Sequence, residues 1–89
     1  MTHHITSEKA EILALEALGW LAGRPDDIDR FLAASGLTVA DLRHAADEAA
    51  LLGSVLDFLL GNEPLLLEFC ESASISFQTV HAARHRLEG

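Results

Sequence analysis

His81 and His85 stand four residues apart, one helical turn along the same face. That spacing can hold a zinc or nickel ion, because two imidazoles then converge on one point. A closed site needs a third and a fourth ligand. No Glu follows the first histidine in the HExxH manner, so the other donors would be Cys70, His44 or the His3–His4 pair. The simpler reading is electrostatic. His81, Arg84, His85 and Arg86 crowd the last turns of a helix, where cations complement the negative end of the dipole. No metal ion is expected. Cys70 has no CxxC partner and reads as a buried, inert thiol. Ser, His and Asp all occur, but no GxSxG elbow presents a nucleophile. The glycines are too dispersed to cradle a phosphate. Asp26-Asp27-Ile28-Asp29 lacks the spacing and glycine of a calcium loop and reads as the first turn of a helix. The expectation is a non-enzymatic protein with no catalytic residue and no cofactor.

The same last helix suggests a second chemistry. Phe69, Cys70, Ala73, Ile75, Val80 and Ala83 sit where a helix-turn-helix wants apolar or small residues. Its recognition helix would present Gln78, Thr79, His81, Arg84 and His85, which can reach base edges or phosphates. Charge opposes this. Six Lys and Arg face fourteen Asp and Glu, for a net charge of −8, and Lys9 is the single lysine. Phosphate contacts supply most non-specific affinity and need clustered bases. A protein partner is therefore the primary expectation. A nucleic-acid-associated regulator using Gln78, His81, Arg84 and His85 is the alternative.

These residues must be positioned by a small body. Eighty-nine residues make one domain, read as two halves over about 8–47 and 48–88. A hydrophobic fraction of 49% with 22% charged residues is globular rather than disordered. Tyr is absent and Pro occurs twice, so the turn-rich signature of a small β-barrel is missing. The N-terminus lacks a basic segment followed by an apolar core, and no apolar run approaches the roughly 18–20 residues that span a bilayer. A lone cysteine fits a reducing cytoplasm. The expectation is a cytoplasmic protein with no membrane contact.

Six helices follow from start and stop signals. Ser7 caps the first, whose apolar residues fall at Ile12, Leu15, Leu18 and Leu21, and Gly23 stops it. Pro25 suits the first turn of the second, with Ile28, Phe31 and Leu32 inside and Gly36 at its end. Thr38 caps the third, with Asp41 three residues on as a capping-box variant. Leu42, Ala45 and Ala46 would line its inner face. The fourth runs from about Glu48 to Leu60 and is apolar around most of its girth, which predicts a central helix. Asn62 caps the fifth, striped by Leu65, Leu66, Phe69, Cys70 and Ala73. Ser76 caps the sixth, with Phe77, Val80, Ala83, Arg84 and Leu87 on one side. The fold class expected is a compact all-α bundle with no strand.

Shifting the chain by 38 positions sets Leu13 on Leu51, Leu21 on Leu59, Gly23 on Gly61, Phe31 on Phe69 and Thr38 on Ser76. This self-similarity predicts two tandem three-helix repeats. The shift also sets Asp27 against Leu65 and Asp29 against Leu67. If the aspartates face water, Leu65 and Leu67 mark an apolar partner-contact surface. A weak homodimer through that surface is a further expectation.

The segments Ala17-Leu18-Gly19-Trp20-Leu21-Ala22-Gly23, Arg30-Phe31-Leu32-Ala33 through Ser35-Gly36-Leu37, and Val55-Leu56-Asp57-Phe58-Leu59-Leu60-Gly61 carry a resemblance. They resemble a small all-helical family of alphaproteobacterial proteins of unknown function, over about Ala14 to Leu87. The resemblance implies a bacterial cytoplasmic protein and brings no site residues with it.

Overall fold

The computed structural model describes residues 5–46 and 48–87. Six helices follow one another: α1 (Ser7–Ala22), α2 (Pro25–Ser35), α3 (Val39–Ala45), α4 (Ala49–Leu60), α5 (Glu63–Ala73) and α6 (Phe77–Leu87). The described residues contain no strand. The protein is an all-α bundle. Its smallest dimension, 17 Å, is about that of two stacked helices.

Local chemistry sets the helix ends. Thr6, not Ser7, is the N-cap of α1; its hydroxyl accepts from the Lys9 N–H at 3.2 Å. Ser7 falls inside the first turn. Gly23 closes α1 with its N–H turned back to the Trp20 and Leu21 carbonyls. Arg24 precedes Pro25 and is held extended at φ −123°, ψ 90°, because the proline ring disfavours a helical residue before it. The Thr38–Asp41 capping box is complete in both directions. Asn62 occupies the cap position of α5 but makes no side-chain cap bond. α4 and α5 meet at 109° across Gly61 and Asn62.

α1, α4 and α6 form the centre. α6 packs on both of the others, α2 lies against α1 and α4, and α5 against α4 and α6. α4 buries Leu51, Leu52, Gly53, Val55, Leu56 and Leu59, as its apolar girth predicts. α1 departs from its expected stripe. Its buried residues are Ala10, Leu13, Ala14, Ala17 and Leu21, while Ile12 and Leu15 stand 48% and 42% exposed. The helix is apolar on two sides. Its alanine side faces inward because small side chains let α4 and α6 approach closely. Phe77 is also turned out of the core, although Val80 and Ala83 on the same helix are fully buried.

The shift of 38 reappears in some places and not in others. α1 and α4 end at Ala22 and Leu60, α2 and α5 span 25–35 and 63–73, and α3 and α6 begin at Val39 and Phe77. Two aromatic contacts cross between the halves: Trp20 to Phe69 at 5.4 Å and Phe58 to Phe31 at 5.5 Å between ring centroids. Each links one half's first helix to the other's second. The third helices behave differently. α6 is wedged against α1 and α4, whereas α3 touches its neighbours lightly and buries no residue completely. Leu42, Ala45 and Ala46 are only half-buried. The halves share boundaries and aromatic contacts, but these coincidences do not make a repeat of the whole fold.

Candidate interaction groove between the last two helices

The residues able to do chemistry on α6 are divided by what they touch. Arg84 lies across α4. Its Nε and Nη2 donate to the two carboxylate oxygens of Asp57 at 2.6 and 3.0 Å. The guanidinium passes directly over Gly53, where a Cβ would come within 3.1 Å of Nη1. Glycine at 53 is what gives the arginine its path, a contact that the sequence alone does not reveal. Arg86 reaches the other way and donates to the Ser7 hydroxyl at 3.1 Å. Two arginines thus fasten α6 to α4 and to α1. Gln78, His81 and His85 are exposed.

This arrangement corrects the reading of Arg84 as a base-reading residue. A bidentate carboxylate occupies its fork, the geometry that also binds phosphate. Asp57 remains 57% exposed beside it and would repel a nucleic-acid backbone. No three His, Cys, Asp or Glu side chains gather closely enough to hold a metal ion among the described residues. His3 and His4, considered as ligands, lie outside the described residues. Cys70 is buried, and burial pushes its thiol up from the ordinary value by desolvation.

Leu65 and Leu67 part company. Leu65 is 4% exposed and belongs to the core, so it is not a contact surface. Leu66 is buried beside it. Successive residues on a helix turn by about 100°, so three leucines in a row cannot all face inward. Leu67 is the one left outside, at 50% exposed. The aspartates that prompted the comparison part company as well. Asp29 is exposed, but only 14% of the Asp27 side chain is accessible. Arg24 covers it, donating from Nε at 2.6 Å. That bond is the main cause that raises the guanidinium's pKa; desolvation opposes it, and the nearby charges of Glu68 and Asp27 add to the rise. Arg24 also sits 4.6 Å from the centre of the Trp20 ring and reaches Glu68 on α5. Position 27 is thus half-buried beneath an ion pair, whereas position 65 is buried as an apolar side chain.

Leu67 shares a groove with Phe77. The depression, about 290 Å³, is lined by Leu60, Glu63, Leu66, Leu67, Phe77 and His81. α5 forms one wall and α6 the other, with the end of α4 at the base. Phe77 is 46% exposed. The groove depends on the turn between the helices. Ser74 takes the left-handed conformation at φ 56°, and the Ile75 N–H returns to the Cys70 carbonyl at 3.0 Å. Ser76 then caps α6 by accepting from the Thr79 N–H at 3.3 Å. The sequence sets Phe77 on one side of α6 with Val80 and Ala83, but those two are buried and Phe77 is not. Val39, its counterpart at the shift of 38, also opens a helix and is also exposed.

The six helices and this groove define a small all-α protein with an amphipathic cleft. The chain belongs to the DUF3572 family, whose model, a protein of unknown function, matches residues 7–89. No curated protein and no solved structure matches the chain. No single described helix is long and apolar enough to cross a membrane.

Proposed function

We propose that this chain is a non-enzymatic protein–protein interaction or adaptor module of the bacterial cytoplasm, and that it binds through the groove between α5 and α6. The observation that carries the reading is the pair of half-exposed apolar side chains, Leu67 and Phe77, on opposite walls of one cleft. Fully burying one such side chain is worth about 1.5–3 kcal/mol. The patch is small beside the roughly 800 Å² that each partner of a standard interface contributes, so binding through it alone is weak and reversible. The lone thiol of Cys70 supports a reducing compartment. The test uses tagged wild type and Leu67→Asp as baits in native cell extract. A protein retained by the wild type and lost by the variant, at equal helicity, supports the reading. Identical protein sets on both baits would remove the groove from it.

A second reading, a nucleic-acid-associated regulator, is favoured by one observation. α6 carries no acidic residue and exposes Gln78, His81 and His85. Its affinity for a DNA duplex should fall steeply with salt. Salt-independent or absent binding rejects it.

A further inference from the structure

We infer that the outward face of α1 is a docking seam for a basic amphipathic helix of another protein, a contact separate from the α5–α6 groove. Ile12, Leu15, Gly19 and Ala22 follow one another at intervals of three, four and three residues, and all four are exposed. At about 100° per residue they fall in one stripe, opposite the buried Ala10, Leu13, Ala14, Ala17 and Leu21. Alternating steps of three and four are the spacing with which one helix meets another along its length. No described element covers the stripe: Ile12 and Leu15 are 48% and 42% exposed, and a Cβ at Gly19 would meet nothing within 4 Å. Two large side chains are followed by two small ones, which leaves room at the C-terminal end for a partner's large side chain. At 1.5 Å per residue the stripe is about 15 Å long, close to three helical turns.

Charge selects the partner. Glu11 flanks the stripe on one side and Glu16 on the other, and Glu8 continues it by one turn at the N-terminal end. Elsewhere carboxylates are answered within the fold: Asp27 and Glu68 by Arg24, Asp57 by Arg84. None of the three on α1 pairs with a described residue. Lys9 is the single base of α1, and Arg86 of the neighbouring α6 is directed to the Ser7 hydroxyl. Unanswered carboxylates astride an apolar stripe call for lysine or arginine on both sides of the partner's own apolar stripe. A second copy would bring three more carboxylates to the contact, and a phosphate-bearing surface would add further negative charge.

The test is an NMR titration of the isotope-labelled full chain with two synthetic peptides of about 18 residues, long enough to become helical. Both carry leucine at the heptad a and d positions; one has lysine beside them and the other glutamate. The lysine peptide should shift the amides of Ile12, Leu15 and Gly19 and bind at least about tenfold more tightly than the glutamate peptide. Gly19→Trp fills the stripe, and Glu11→Lys with Glu16→Lys reverses its rim. Each should weaken the lysine peptide about tenfold with helicity unchanged. Leu67→Asp should leave this binding unchanged, so failure here and failure of the groove reading are told apart. A wild type that binds neither peptide, or binds both equally, overturns the proposal. So does full affinity in Gly19→Trp, a set of shifted amides away from α1, or a wild type that dimerises through this face.

Discussion

Gly36 and Ser74, 38 residues apart, share one backbone conformation: both are left-handed, at φ 77° and 56°, and both close a helix. They are the two positive-φ residues among those described. Glycine adopts this conformation freely, while a Cβ makes it cost about 1–2 kcal/mol. Ser74→Gly should therefore raise stability by about 0.5–1 kcal/mol after allowing for the looser unfolded chain. Gly36→Ala should lower it by about 1 kcal/mol. Urea denaturation of the two variants checks both signs.

That relationship also marks what the sequence discloses. Gly23, Gly36, Gly61 and Thr38 are local signals, acting through their own backbone or cap, and each sits where the sequence placed it. Ser74 ends a helix without a glycine, so its turn leaves no such trace. Inside and outside were harder to read. α1 is apolar on two faces, and only the presence of α4 and α6 decides that Ala14 and Ala17 go in while Ile12 and Leu15 stay out. Asp27 illustrates the same point. Its exposure depends on Arg24, which is held by Trp20 and by Glu68, 44 residues away in sequence. The groove is legible in part: Leu67 follows from helical geometry, Phe77 does not.

Gly19 lies in the interior of α1 on its exposed face, and a Cβ built there would meet nothing within 4 Å. A helix-interior glycine costs about 0.5–1 kcal/mol relative to alanine. Gly19→Ala should raise stability by that amount in urea denaturation, with no change in helical fold. A loss of stability would show that another contact requires the glycine.

The Arg84–Asp57 pair is bidentate but well exposed at its carboxylate. Solvent screening keeps such pairs to about 1 kcal/mol or less. Asp57→Asn should cost no more than that, and the loss should shrink in high salt as the charges are screened. Thermal melts at low and high salt measure it.

Cys70 should react slowly with a thiol reagent in the native protein and rapidly once the chain is unfolded. Burial raises the thiol's pKa in the folded state, so the unfolded thiol ionises first as pH increases. The sign follows: this group's contribution to stability is complete below the unfolded thiol's value and is lost as pH rises past it. Urea midpoints measured from neutral to alkaline pH, for wild type and Cys70→Ala, isolate the effect. A wild type no more pH-sensitive than the variant would contradict it.

Leu65 and Leu67 lie on the same helix two residues apart, and they should respond to substitution in opposite ways. Leu65 is 4% exposed and packed into the core, so Leu65→Ala removes buried apolar volume and leaves a cavity. The expected cost is about 2–4 kcal/mol, a large share of the stability of so short a chain. Leu67 is 50% exposed, and the helix does not need it. Leu67→Asp places a short polar side chain on a surface where the corresponding position of α2 already carries Asp29. Its effect on unfolding should stay within about 0.5 kcal/mol. Any loss of association then reflects the surface rather than the fold. Urea unfolding of the two variants at a concentration low enough to hold the chain monomeric separates the cases. Equal destabilisation by both would mean that Leu67 is packed, and that the cleft between α5 and α6 is closed in solution.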